Sequence, residues 1–377
     1  MPEANNEDAP DIEDALVRRG TRTAAPSAIA SGRHAMSVEV ALTVFRQMLR
    51  TRALEERSIK MSKSGEAYFW IGGPGEEAFN VCLGLQINRG RGPAHDYLHL
   101  HYRNAGVMLA MGMPMIDHTR QLAMRATDRH SRGRNFVGHY AVPEWNVVPV
   151  TSVIEVQFAM APGTALVQKR HGLKNPAEAE GITVVVGGEA GTAEGDFESC
   201  LNWSTRPGNE LPVLMVVTNN NYGISTDLGT VHAHRPIADR AIPYGVRCET
   251  INGNDPVAAW HGIDRAMRYC RRERKPYLLE AVVSRLHGHS SSSGAQRNWT
   301  EADPIAAFEQ KLIDARAIDA PTVRVMKEEA KAEADAAVVA TMKEPEPSRD
   351  DVYAGTYAPS PADAVYPGDY TGLPGIK

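Results

Sequence analysis

The chain has 377 residues, an apolar share of 42% that is ample for a large core, and a formal net charge of −5 with a pI near 6.2. That balance, with no basic cluster, argues against a nucleic-acid partner, and no run of about 18 apolar residues suggests a membrane span. Cys82, Cys200, Cys248 and Cys270 are widely spaced without a Cys-x-x-Cys pair, which points away from a disulfide framework or a zinc site and towards reduced thiols in a cytoplasmic protein. The acidic N-terminus (MPEANNEDAPDIED) has neither the basic nor the apolar character of a transit or export peptide.

Residues 1–35 are polar, rich in Ala, Arg, Pro and Ser and without an apolar period, so a disordered arm is expected there. An ordered domain is expected over 36–343. It opens at Ser37, a plausible N-cap, with Val40, Val44, Met48 and Leu49 at helical spacing up to Gly65. A second helix is expected from Gly75-Glu76-Glu77 and a third after Pro114. From Val147 the period alternates as in a parallel α/β sheet covered by helices on both faces. Strands are expected near Val147–Val150, Ile182–Val186, Val213–Thr218, Arg247–Ile251 and Tyr277–Val283. Helices should fill the gaps: Val153–His171 with Gly172 as C-cap, Asp196–Ser204, and Asp255–Arg272 with Pro256 in its first turn. Residues 344–377, rich in Pro, Gly and Asp, read as an extended tail.

Two of these strands carry chemistry at their ends. Gly188-Glu189-Ala190-Gly191 follows ITVVV, and Asn219-Asn220-Asn221-Tyr222-Gly223 follows VLMVV. The carboxyl edge of an open α/β sheet is where ligands sit. A carboxylate with amide or carbonyl oxygens suits a hard cation such as Mg²⁺, which shares its shell with substrate phosphates. Gly and Asn also serve tight strand-to-helix turns for backbone reasons alone. The pair nevertheless resembles the thiamine-diphosphate motif of the α subunits of 2-oxoacid dehydrogenase E1 components. The resemblance implies that Gly188, Glu189, Ala190 and Gly191 lie at the cofactor, with Glu189, Asn220 and the Tyr222 carbonyl as Mg²⁺ ligands. Two positions depart from the pattern: the third motif residue is Ala190, with the glycine moved to Gly191, and Thr218 stands where branched-chain-type relatives carry a phosphate-binding Arg.

Other segments follow in the family's order, over about Ser37 to Leu312. Tyr102-Arg103-Asn104-Ala105-Gly106 resembles the family's Tyr-Arg-x-Ala-Gly, in which the Arg grips the diphosphate; a guanidinium fork suits that task. Thr151-Ser152-Val153-Ile154 resembles the turn that holds the aminopyrimidine near Ser152 and bends the cofactor over Ile154, although an ordinary Ser N-cap would use the same residues. His287-Gly288-His289-Ser290 resembles the family's His-Gly-His-Ser, implying catalytic roles for His289 and His287, with His289 on the diphosphate. A histidine near neutral pKa can exchange protons at working pH. The two histidines lack a third ligand at metal spacing. Ser290–Ser293 reads as a mobile loop. More weakly, Gly133-Arg134 to His139-Tyr140 resembles a segment near the active-site entrance, and Phe69, Trp70 and Gly72–Gly75 could line the substrate side.

The resemblance implies a thiamine-diphosphate-dependent E1 α subunit. Such an enzyme oxidatively decarboxylates a 2-oxo acid and passes the acyl group to the lipoyl domain of an E2 acyltransferase. In the family the glutamate that activates the aminopyrimidine comes from a β subunit, so an α₂β₂ heterotetramer is expected and the chain alone should be inactive. Rival readings are an acetoin dehydrogenase-type α subunit and a non-catalytic paralogue that no longer binds cofactor. A nicotinamide-binding dehydrogenase fails for want of a Gly-x-Gly-x-x-Gly turn between strand and helix.

Overall fold

The computed structural model describes residues 27–232 and 236–352. Strands β1 (Ala28–Ser31) and β2 (His34–Ser37) form an antiparallel hairpin in which Ile29 pairs with Met36, both buried. Residues 28–35 are therefore ordered where an arm was expected: two buried side chains fasten a stretch too short to show a period. Residues 1–26 lie outside the described residues.

Helix α1 (Val38–Ser64) begins and ends as the sequence suggests. Ser37 Oγ accepts the Val40 N–H at 3.3 Å, and Gly65 closes the helix in the left-handed region at φ 79°. Helices α2 (Glu77–Gln86), α3 (Ala105–Ala110) and α4 (Met115–Leu122) follow, with β3 (Tyr97–His99) between α2 and α3. Next come α5 (Val156–Lys174), β4 (Thr183–Gly188), α6 (Gly195–Ser204) and β5 (Val213–Asn219), then a small hairpin of β6 (Tyr222–Gly223) and β7 (Thr226–Asp227). The chain continues through β8 (Arg247–Asn252), α7 (Pro256–Glu273) and β9 (Tyr277–Val282). It closes with α8 (Pro304–Asp314) and α9 (Ala320–Thr341), neither assigned from sequence.

The main sheet has five parallel strands in the order β3-β4-β5-β9-β8. Side chains alternate across it. Val184, Val186, Leu214 and Val216 join the larger core with α1–α4 and α7, whereas Val185, Val213, Met215 and Val217 join Phe158 and Ala161 of α5 and Phe197 and Leu201 of α6. Each such fully buried aliphatic side chain contributes about 1.5–3 kcal/mol. Both faces are covered, which is why these strands read as unbroken apolar runs.

Three local expectations need correction. Val147–Val150 forms no strand; Val147 makes single bridges to Leu98 and Val142, because its neighbour β3 is only three residues long. Gly172 is not the cap of α5, which runs on to Asn175. A Cβ at Gly172 would meet Ala179 Cβ at 2.9 Å, so this glycine serves close packing inside the helix. The tail expected from Glu344 begins docked: Arg120 Nε donates to the Glu344 carboxylate at 2.8 Å, and the Ala126 N–H donates to the Pro345 carbonyl at 3.0 Å. Residues 353–377 of that tail lie outside the described residues.

Candidate active site

Ladder register builds the centre of the site. Gly188 pairs with Thr218, so the residues that leave β4 and β5 emerge side by side. Glu189 is 1% exposed and Asn220 5%. Glu189 Oε2 accepts the Asn220 N–H at 3.2 Å, and Asn220 Oδ1 accepts the Tyr222 N–H at 3.2 Å. Burial raises the Glu189 carboxyl above the usual carboxylate range, and among the described residues its Oε1 has no hydrogen-bond partner. An unsatisfied buried acceptor costs about 1–3 kcal/mol. A cation held between this oxygen and its amide and carbonyl neighbours would offset that cost.

Across the cavity lies Arg103, 4% exposed. It donates to the Gly72 carbonyl and, through Nη2, to His289 Nδ1 at 2.9 Å. Its guanidinium carbon stands 5.4 Å from the centre of the Tyr102 ring, and the Tyr102 and His289 rings meet edge-on at 6.2 Å. Burial, with Arg103 and Arg285 nearby, lowers His289 to about 4. A ring that accepts from Arg103 at Nδ1 is neutral and carries its proton on Nε2.

These groups line one cavity of about 270 Å³, together with Ile154, Gly188, Ala190, Gly191, Thr218, Tyr222, Gly223 and Ile224. Two expected site residues stand apart. Ser152 Oγ is bonded to His139 Nε2 at 2.6 Å and does not line the cavity; the His139 ring, held at Nδ1 by the Phe136 and Val137 carbonyls, captures it. His287 also lies off the cavity wall, edge-on to Trp70 at 6.4 Å and beside the Ala295 carbonyl. Ser290–Ser293, expected to be mobile, is bonded to the scaffold: the Ser291 N–H donates to the Trp70 carbonyl at 2.8 Å, and the Trp70 N–H donates to Ser291 Oγ at 3.0 Å. Trp70 itself is core, not substrate wall.

Sequence reasoning missed the buried carboxylates behind the site. Glu76 accepts from Asn220 Nδ2 at 3.4 Å and is raised by burial to about 7; its Oε2 has no partner among the described residues. Glu155, at the N-terminus of α5, lines the cavity, is raised by burial to about 8, and its Oε2 likewise has no partner among the described residues. Its backbone is left-handed at φ 60°, a conformation that costs a non-glycine residue on the order of 1–3 kcal/mol and that clusters at functional sites. For Glu76 a signal existed, an acidic pair straight after a glycine turn; for Glu155 nothing in the local pattern marks it.

The profile of the family described as "Dehydrogenase E1 component" matches residues 45–349. The chain is 31% identical over 326 residues to the 2-oxoisovalerate dehydrogenase subunit alpha of Bacillus subtilis (strain 168), spanning 83% of this chain and 95% of that one. It is 25% identical over 333 residues to the mitochondrial 2-oxoisovalerate dehydrogenase subunit alpha of Homo sapiens, covering 86% and 72% of the two chains. Against the mitochondrial subunit alpha 2 of Arabidopsis thaliana the identity is 27% over 282 residues, covering 72% and 57%. Fold and site thus define an E1-type enzyme component. The chain belongs to the dehydrogenase E1 component family, as an α-type subunit of a 2-oxoacid dehydrogenase.

Proposed function

We propose that this E1 α subunit binds thiamine diphosphate through Mg²⁺, with the Glu189 and Asn220 side chains and the Tyr222 carbonyl as protein ligands and Arg103 and His289 on the diphosphate. In this reading it pairs with an E1 β subunit as α₂β₂, decarboxylates a branched-chain 2-oxo acid and delivers the acyl group to the lipoyl domain of an E2 acyltransferase. The observation that carries it is the unpartnered, buried Glu189 Oε1 beside Asn220, with the Arg103 fork across the same cavity. An oxygen-only set of this kind suits Mg²⁺ and its phosphates. The bound cofactor would supply the carbon nucleophile and electron sink; the protein's part is position and electrostatics.

Each side chain has a defined task. Arg103, already anchored by the Gly72 carbonyl, holds its fork ready for phosphate oxygens. His289 offers a neutral Nε2–H to an oxyanion without adding charge. Ile154 stands at the rim, 49% exposed, where it can support a bent ligand. Ile154 at the cavity, with the exposed side chains of Val153 just before α5 and Met160 and Val167 along it, supports a partner surface on this helix. The four free cysteines, three of them buried, support a reducing compartment such as the cytoplasm.

Ala190 and Thr218, the departures behind a non-catalytic reading, leave the cavity open: Ala190 is faced by Gly223, and Thr218 forms part of the wall. An acetoin-cleaving reading has no observation in its favour. The test is calorimetric titration of the α/β complex with thiamine diphosphate, with Mg²⁺ and then with chelator, followed by turnover on 2-oxoisovalerate and pyruvate. Mg²⁺-dependent binding with preference for 2-oxoisovalerate is expected; absence of binding heat would sink the proposal.

A further inference from the structure

Glu155 belongs neither to the ligand set nor to the diphosphate grip, yet the fold makes unusual concessions to its carboxyl group. It is 3% exposed and held at a left-handed backbone position. Two glycines face it. A Cβ at Gly187 would stand 2.5 Å from Glu155 Oε1 and 2.6 Å from Phe158 Cε2, and one at Gly191 would stand 2.7 Å from Glu155 Cδ. Neither glycine has a positive φ, so neither is required for its dihedral freedom. At both, Glu155 occupies the space a side chain would take, joined at Gly187 by Phe158.

The same geometry accounts for the displaced motif glycine. Position 190 tolerates alanine because Gly223 faces it, with Ala190 Cβ 2.6 Å from where a Gly223 Cβ would lie. Position 191 has no such latitude. A space-filling role alone would be met by an apolar side chain, but here a polar head lies against the turn that carries Glu189, and the Gly188 amide stabilises its charged form.

We infer that Glu155 is a positioning residue for the metal-binding glutamate: wedged between Gly187 and Gly191, its carboxyl group sets the Gly188–Gly191 turn so that Glu189 faces Asn220, and Gly191 exists to admit it. This rests on the function proposed above and adds a residue that acts through Glu189, not on the cofactor.

The test uses the α chain purified with its β partner and four variants: Glu155→Gln, Glu155→Ala, Gly191→Ala and the double Glu155→Ala/Gly191→Ala. Thiamine diphosphate binding at graded Mg²⁺ is measured by calorimetry, melting temperature is recorded alongside, and amide hydrogen exchange over residues 187–192 is followed without cofactor. Glu155→Ala and Gly191→Ala should each weaken Mg²⁺-dependent binding about tenfold or more, Glu155→Gln less than about threefold, and the double variant no more than the worse single change, since the two residues act as one contact. Glu155→Ala should also exchange the 187–192 amides faster without cofactor. Unchanged affinity in Glu155→Ala, with only a lower melting temperature, would overturn the inference, as would losses that multiply in the double variant. If Gly191→Ala does not assemble, the alanine and glutamine changes at 155 decide alone. A wild-type complex without Mg²⁺-dependent binding would instead refute the proposed function, and the exchange measurement would still judge the wedge.

Discussion

The strand-end anchor and the helix-entry turn face one cavity but are built in opposite ways. At the anchor, the β4–β5 ladder runs as far as Gly188 and Thr218 and so brings out Glu189 and Asn220 side by side, both buried. At the entry turn, residues 151–155, no strand holds the backbone; Ser152, Val153 and Ile154 are exposed and only Glu155 is buried. The contrast teaches which half of the site this chain completes alone. Groups that the sheet can position are buried and bonded, and groups left apolar and open await another surface.

The largest expected effect falls on the anchor. Glu189→Gln should weaken Mg²⁺-dependent retention of thiamine diphosphate about a hundredfold or more, near 3 kcal/mol. The cofactor-free complex should melt no lower than the wild type, because the change removes a buried charge with an unpartnered oxygen. Full affinity in this variant would break the comparison outright. His289→Ala comes next: turnover should fall about a hundredfold while cofactor affinity changes only a few-fold, since with Nδ1 held by Arg103 its Nε2–H is left to serve an oxyanion that develops during turnover. The reverse split would make it a binding residue. At the entry turn Ile154→Ala should lower turnover of the complex about tenfold, about 1.4 kcal/mol, yet leave the melting temperature of the free α chain unchanged. A matching drop in free-chain stability would show that the turn is already packed without a partner.

What was legible in the sequence follows the same division. The runs ending at Gly188 and Asn219 announced their strands because both faces of a parallel sheet are apolar, and the residues that leave them were placed correctly side by side. The edge strand Tyr97–His99 was not legible: three residues with a histidine in place of an aliphatic carry no period. The hairpin of residues 28–37 shows only Ile29 and Met36 to the core. Ser152 and His287 fit their motifs, but side-chain direction depends on neighbours distant in sequence, His139 and Trp70. Glu155 was invisible because an acidic residue early in a helix is ordinarily a solvated partner of the helix dipole; its burial, its left-handed backbone and the Gly187 and Gly191 packing, which distinguish it, belong to the fold.

The smallest expected effect on cofactor binding lies in the scaffold behind the anchor. Glu55 on α1 is buried, accepting the Trp70 Nε1–H at 2.8 Å and the Gly73 N–H at 3.3 Å, and burial raises it to about 7. Its folded-state pKa lies above the unfolded value of about 4.3. Between these limits the folded state binds more protons than the unfolded one, so stability falls as pH rises through that window and levels off above about 7. The slope from this one group is at most about 1.4 kcal/mol per pH unit. Glu55→Gln removes the titration while keeping an acceptor for Trp70. Urea midpoints of wild type and variant should therefore lie closest near pH 5 and diverge towards pH 7.5, with the wild type the less stable of the two at the upper end. Because Glu55 holds the Gly72–Gly75 turn from which Arg103 is braced, cofactor affinity at pH 7.5 should stay within about threefold of wild type, less than 1 kcal/mol. A difference between the midpoints that does not vary with pH would mean that Glu55 is ionised throughout, and the turn behind Arg103 would then be held by charge instead of by a neutral acid.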